Sequence, residues 1–237
     1  MRHTLVIASL CASCVSLGAF ASEKGSMSIA VSGIKIGQSS QTVKPVEGDS
    51  TTTKTTYLDY LGETADAAVA NLELGFHYKG GVFYFYPLGA QGERELWVGM
   101  TSGENLEWGL VTGGFTRSYD KAQNIEGKKL KEDGLARLGL FANYKFQMFG
   151  HDFETSDVLF YELGETKYEN SNEDLSGSRF GLRAELLYTQ NLAENMTAAS
   201  GITAEWSSGE VKVNDKKAAT TTDFDIGLQI AKLTYSF

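Results

Sequence analysis

The chain has 237 residues and a formal net charge of −9, with 11 Tyr, 13 Phe and 26 Gly but only two prolines and two cysteines. So acidic a chain is a poor partner for nucleic acid, and a Cys11–Cys14 pair confined to the first residues offers no disulfide framework. Aromatic side chains favour strands and proline is kept out of sheet interiors, so the composition points to an all-β chain.

The opening "MRHTLVIASLCASCVSLGAFASEKG" has a basic start at Arg2, an apolar run from Leu5 to Phe20 and an A-x-A pattern at Ala19-Phe20-Ala21. This predicts a secretory signal peptide over 1–21, cut after Ala21, and a single domain over 22–237. The run is shorter than the roughly 20 residues a spanning helix needs, and it is interrupted by Ser9, Ser13 and Ser16. Both cysteines leave with the signal, so their C-x-x-C spacing carries no redox or zinc chemistry.

Beyond the leader, period two recurs. In "NLELGFHYK" one face is Leu72, Leu74, Phe76 and Tyr78; the other is Asn71, Glu73, Gly75 and His77. In "ARLGLFANYKFQMF" Leu138, Leu140, Ala142, Tyr144, Phe146 and Met148 alternate with Arg137, Gly139, Phe141, Asn143, Lys145 and Gln147. In "RFGLRAELLY" Phe180, Leu182, Ala184, Leu186 and Tyr188 alternate with Arg179, Gly181, Arg183, Glu185 and Leu187. Such runs outlast the five or six residues of a usual soluble strand and match the roughly 9–11 that cross a bilayer at a tilt. Long strands with charge and glycine on the second face fit a transmembrane barrel with a polar lumen.

Ten strands are predicted near 26–37, 67–78, 82–88, 94–102, 105–118, 135–149, 153–168, 178–190, 195–211 and 222–237, with eight as the alternative. Tight turns at Lys79-Gly80-Gly81, Ser102 to Asn105, Phe149 to Asp152 and Asn191 to Asn195 alternate with polar loops at 38–66, 88–93, 119–134, 169–177 and 212–221. The runs "TTTKTT" and "KKAATTT" read as low-complexity loops. Tight turns at one end and long loops at the other is the order of an up-and-down membrane barrel.

The chain closes on "IAKLTYSF", where Ala231, Leu233, Tyr235 and Phe237 alternate. With the leader and the strand rhythm, this ending resembles Gram-negative outer-membrane β-barrel proteins as a class, of a small porin-like kind, and no single family within it. The resemblance implies a bacterial outer-membrane location, contact with membrane lipid and lipopolysaccharide, and a C-terminal insertion signal at Leu233, Tyr235 and Phe237 read by the barrel-assembly machinery. Gln229 departs from the alternation, and Ile226, Leu228 and Ile230 lie in the opposite phase. Either a bulge near Lys232 resets that phase, or the lumen there is apolar.

The inward phase collects Glu73, Arg137, Lys145, Arg179, Arg183, Glu185, Glu205 and Lys232 as a lumen charge network, either a rigid plug or the lining of a narrow pore. Tyr78, Trp108, Tyr144, Phe146, Tyr188 and Trp206 are expected as interface aromatics. His77 is expected in the lumen near the tight-turn end and His151 in a turn, far from the outer rim where barrel proteases and lipid A enzymes act. Glu162, Glu165, Glu169, Glu173 and Asp174 read as loop carboxylates, a solvated acidic surface rather than a weak Ca²⁺ site. No cofactor, metal or catalytic residue is expected. The reading is a monomeric, non-enzymatic barrel with a narrow charge-lined lumen, porin-like or a minimal pore. The alternative is a structural or surface-interaction barrel meeting an extracellular ligand through loops 38–66 and 119–134.

Overall fold

A computed structural model describes residues 25–46, 49–60, 72–87, 94–119, 130–168, 175–213 and 216–237. The leader, most of loops 119–134 and 169–177, and the loop at 88–93 lie outside the described residues, as do Glu169, Glu173 and Asp174.

Eleven strands are described: β1 (Gly25–Pro45), β2 (Thr51–Tyr60), β3 (Leu72–Tyr78), β4 (Gly81–Tyr86), β5 (Arg94–Ser102), β6 (Leu106–Tyr119), β7 (Leu130–Met148), β8 (His151–Tyr168), β9 (Leu175–Ala193), β10 (Met196–Val213) and β11 (Lys216–Ser236). Every pairing is antiparallel, and β11 closes onto β1 from Ser28↔Ser236 to Pro45↔Ala219. Ten strands, β1 and β3 to β11, therefore form a closed barrel. No helix among the described residues is long and apolar enough to cross a membrane.

The eleventh strand corrects the reading of 38–66 as a loop. β1 continues to Pro45, and β2 folds back along its upper half from Ile34↔Tyr60 to Val43↔Thr51. β3 pairs the lower half from Gly25↔Tyr78 to Val31↔Leu72. Threonine-rich "TTTKTTYLDY" lacks apolar alternation but has strong β-propensity. The loop expected at 212–221 is likewise mostly strand, with β10 and β11 joined by a short hairpin.

The tight turns share one end. Lys79 and Gly80 have φ of 50° and 81°, and Phe149 and Gly150 of 56° and 78°. Two consecutive positive φ values are the geometry that matches hairpin twist. β7 to β11 and β1 have 18 to 21 residues, and the described parts of β3, β4 and β5 have 7, 6 and 9. Roughly 9–11 residues suffice to cross, so the flank of β7 to β11 and β1 is long enough to project beyond a bilayer.

The outer face between the ends is a band of exposed large apolar residues, among them Leu110, Leu138, Leu140, Leu159, Leu182, Ile202, Ile226, Leu228 and Ile230. The buried cluster lies inside the barrel instead.

Candidate functional site

The lumen is built in registered rows. Along one row the inward residues are Glu95, Gly113, Arg137, Glu162, Arg179, Gly209 and Thr221, each the Cα partner of the next. Charge alternates along the row, and the glycine at 113 clears the way for Arg137 to reach past β6 to Glu95. Arg137 Nε donates to Glu162 Oε1 at 2.7 Å, and its Nη1 donates to Glu95 Oε1. Glu95 Oε2 accepts from Arg183 Nη2 at 2.7 Å and from Trp97 Nε1 at 2.8 Å. Glu95 belongs to β5 and Arg183 to β9, so this ion pair spans the lumen. Arg179 donates to Asp223, to Ser207 Oγ at 3.3 Å and to Thr221 Oγ1 at 3.2 Å.

Below that row lies an aromatic layer. Tyr84, Trp97, Phe141 and Phe160 are buried with Val82, Val111 and Val158, and Tyr86 packs against them. Trp97 and Phe141 have ring centroids 4.9 Å apart, and Tyr84 meets both edge-on. Glycines receive the rings. Phe160 stands between its register partners Gly139 and Gly181, and a Cβ on Gly181 would lie 2.2 Å from Phe160 Cζ. Cations cap the rings from above, with the Arg137 guanidinium 4.2 Å from the Phe160 centroid and that of Arg183 5.8 Å from Trp97. Such contacts strengthen when desolvated.

Toward the tight-turn mouth the lumen is polar again. His77 Nε2 is 2.9 Å from Glu107 Oε1, Tyr84 Oη donates to Glu107 Oε2 at 2.5 Å, and Asn143 Nδ2 donates to the same oxygen at 3.3 Å. Ser156 Oγ donates to Asn143 Oδ1 at 2.9 Å. Lys232 Nζ donates to Glu73 Oε2 at 2.8 Å.

Of the eight expected lumen charges, Arg137 and Arg183 share Glu95, Arg179 takes Asp223, and Lys232 takes Glu73. Glu185 is register partner to Thr203 and Ser156, and Glu205 to Arg183 and Asp225. Lys145 is exposed at the mouth, beside Glu154. Glu162 is a correction: expected on a solvated acidic surface flanking a loop, it is fully buried on β8 against Arg137. Nothing is described of the Glu165 side chain. Sequence reasoning missed Glu95, Glu107, Asp223 and, beyond setting Phe141 in phase with Arg137, the aromatic layer, because inward aromatics and outward ones give the same period. Among the described residues no group of three metal-ligating side chains occurs.

Outside, Tyr144, Phe146, Phe153 and Tyr188 form a continuous ladder with centroids 5.6–5.8 Å apart. Tyr78 stacks with Phe76, Trp206 meets Phe180 edge-on, and Trp108 is exposed. His151 packs edge-on against Tyr188. In β11, Ala231 takes φ 63°, where two residues oppose one on β10. This bulge turns Gln229 and Lys232 inward while Ile230, Leu233, Tyr235 and Phe237 face out. The Phe237 N–H donates to Met27 O at 2.8 Å, beside the seam with β1.

No family model matches the sequence, and no curated protein matches it. Solved barrels do overlap the fold. The outer membrane protease OmpT of Escherichia coli is 10% identical with a TM-score of 0.36, covering 91% of this chain and 97% of that one. Neisserial surface protein A is 12% identical with a TM-score of 0.31, over 85% and 97%. Ail, the attachment invasion locus protein of Yersinia pestis, is 13% identical with a TM-score of 0.29, over 90% and 99%. None of these likenesses carries an argument about what this chain does. The chain itself is a transmembrane β-barrel of the outer-membrane type. Its apolar outer band, aromatic girdle and ion-paired interior are those of a sheet closed in lipid.

Proposed function

We propose that this is a non-enzymatic barrel of the bacterial outer membrane, with a lumen sealed to solutes, that acts outside the cell through the projecting wall of β1, β2 and β6 to β11. The observation that carries this reading is the cross-lumen tie of Arg183 to Glu95 above the Tyr84–Trp97–Phe141–Phe160 layer. A barrel of about this strand number has little more room than its side chains need. The leader up to Ala21 supports export, and the shared end of the tight turns supports placing that end in the periplasm. The histidines support no enzyme: His77 is tied to Glu107 and Tyr84 at the periplasmic mouth, and His151 lies against Tyr188 outside the barrel.

Planar-bilayer conductance of the refolded barrel tests the seal. No steady steps are expected, and large ohmic steps would overturn it. The polar flank where Arg183, Glu205 and Asp225 follow one another favours a second reading, a narrow ion path. That path predicts small currents whose ion preference changes in Arg183→Ala. For the outward role, shortening the β1–β2 hairpin is expected to abolish binding of cells to their external partner while heat-modifiable gel migration persists.

A further inference from the structure

An acid stands in the lipid-facing wall. On β8, Asp157 is exposed between inward Ser156 and Val158, in phase with outward Phe153, Leu159 and Tyr161. Phe153 belongs to the aromatic ladder at the tight-turn end. Asp157 stands four residues further along the strand, about 13 Å at roughly 3.3 Å per residue. Leu159, Tyr161 and Leu163 continue the exposed apolar face beyond it. Its height is therefore that of hydrocarbon rather than head groups. Among the described outward residues of β7 to β10 between that ladder and the Tyr161–Phe180 row, no other carries charge. No described residue gives Asp157 a hydrogen bond or an ion pair. Its register partners are Ala142 on β7 and Ala184 on β9, with Ala204 next on β10. Leu140, Leu159, Leu182 and Leu186 stand exposed around them. The carboxyl thus occupies a low spot in the wall, open along the membrane plane.

The chemistry of that group says what meets it. Ionisable side chains inside a membrane are costly and are met by pairing with one another or with other polar groups. Hydrocarbon favours a neutral acid over a carboxylate, and a neutral carboxyl carries both an O–H donor and an acceptor. Two such groups face to face satisfy each other and leave no charge, whereas a basic partner would itself have to be carried into lipid. Identical barrels sit at identical depth, so a second copy brings its carboxyl to the same height. A two-fold axis along the membrane normal sets one patch of wall against itself. Alanines on both sides let the two backbones approach, as small residues do between membrane segments. We propose that two copies of this barrel associate in the membrane through the outward wall of β7 to β10, with their Asp157 carboxyls hydrogen-bonded to each other at the centre. The pairing goes beyond the sealed-lumen reading, does not depend on it, and stands in place of the monomer expected from the sequence.

The test uses the full barrel refolded into lipid vesicles. Single-molecule photobleaching counts the copies, and energy transfer on dilution with lipid gives the dissociation constant. The wild type is expected to pair. Asp157→Asn keeps a donor and an acceptor and is expected to pair nearly as well. Asp157→Leu, with unchanged heat-modifiable migration, is expected to weaken pairing about tenfold, the scale of a hydrogen-bonded contact between membrane segments. The geometry has its own readout. In a chain carrying Cys11→Ser and Cys14→Ser, a short thiol cross-linker is expected to join copies through Ala184→Cys, beside the acid. It is expected not to join them through Val98→Cys, exposed on β5. A wild type that stays monomeric at high protein-to-lipid ratio overturns the proposal, as does Asp157→Leu pairing as tightly as the wild type. Asp157→Asn failing as badly as Asp157→Leu overturns the carboxyl contact. Equal cross-linking through Val98→Cys overturns the assigned wall. Cross-linking of Ala184→Cys to a different protein in native membranes overturns the second copy as the occupant.

Discussion

Arg137 and Glu162 meet inside the barrel with essentially no solvent on either: their side chains are 1% and 0% exposed, and Arg137 Nε donates to Glu162 Oε1 across 2.7 Å. Taking two charges out of water is costly, so the pair is tolerated because each has a partner. Arg137 also serves Glu95, which makes it the hinge of the knot. Arg137→Met removes the cation shared by two buried carboxylates, Glu162 and Glu95, and is expected to destabilise the barrel by about 3–5 kcal/mol. Glu162→Gln leaves Arg137 on Glu95 and costs less. Denaturant unfolding in detergent followed by tryptophan fluorescence orders the two variants, and the reverse order would contradict this account.

The glycine bed beneath Phe160 predicts an overpacking defect. A methyl on Gly181 would press on the Phe160 ring at 2.2 Å and on Trp206 O at 2.8 Å. Gly181→Ala is expected to cost about 1–3 kcal/mol. Adding Phe160→Leu should recover part of the loss, because the clash is with the ring. An additive double variant would place the strain at Trp206 O instead.

The seal predicts its own removal. Trp97 and Phe141, with centroids 4.9 Å apart, stand in the aromatic layer below the Glu95–Arg183 tie. Trp97→Ala with Phe141→Ala should raise single-channel conductance above that of the wild type while the protein stays heat-modifiable. Unchanged conductance would assign the seal to the ionic row alone.

At the top of the wall, the Lys217 ammonium hydrogen-bonds the Glu210 carboxylate and holds its pKa below the ordinary 4.5. A lowered carboxyl contributes stability above its unfolded value and loses it as pH falls through its folded value. Lys217→Gln should therefore move the Glu210 titration, followed by carboxyl carbon shifts, upward toward the ordinary value. The pair is solvent-exposed, so global stability is expected to change little.

The Ala231 bulge also has a measurable cost. A non-glycine residue at φ 63° is strained, by roughly 1–2 kcal/mol in the left-handed region. Glycine relieves that strain but loses more entropy on folding, so Ala231→Gly is expected to stabilise by about 0.5–1 kcal/mol in denaturant unfolding.

The long lipid-facing strands were legible because one face must be apolar without interruption, as along Leu138 to Met148 and Phe180 to Tyr188. β2 was not. A strand beyond the bilayer has no need of an apolar face, so Thr51 to Thr56 read as loop. The lumen charges were legible as inward residues but not as pairs. Arg137 reaches Glu95 only because β6 places Gly113 between them, and register of that kind is absent from any single strand's pattern. Glu162 was misread because it was grouped with the acidic residues around the 169–177 loop, although the strand expected over 153–168 already contains it and alternation with Tyr161 and Leu163 turns it inward.

The extra strand gives the molecule a front. β1 and β11 run 21 residues each, and β2 doubles the upper half of β1. A neighbour approaching along the membrane plane from that heading meets a tall, hydrogen-bonded palisade before any loop.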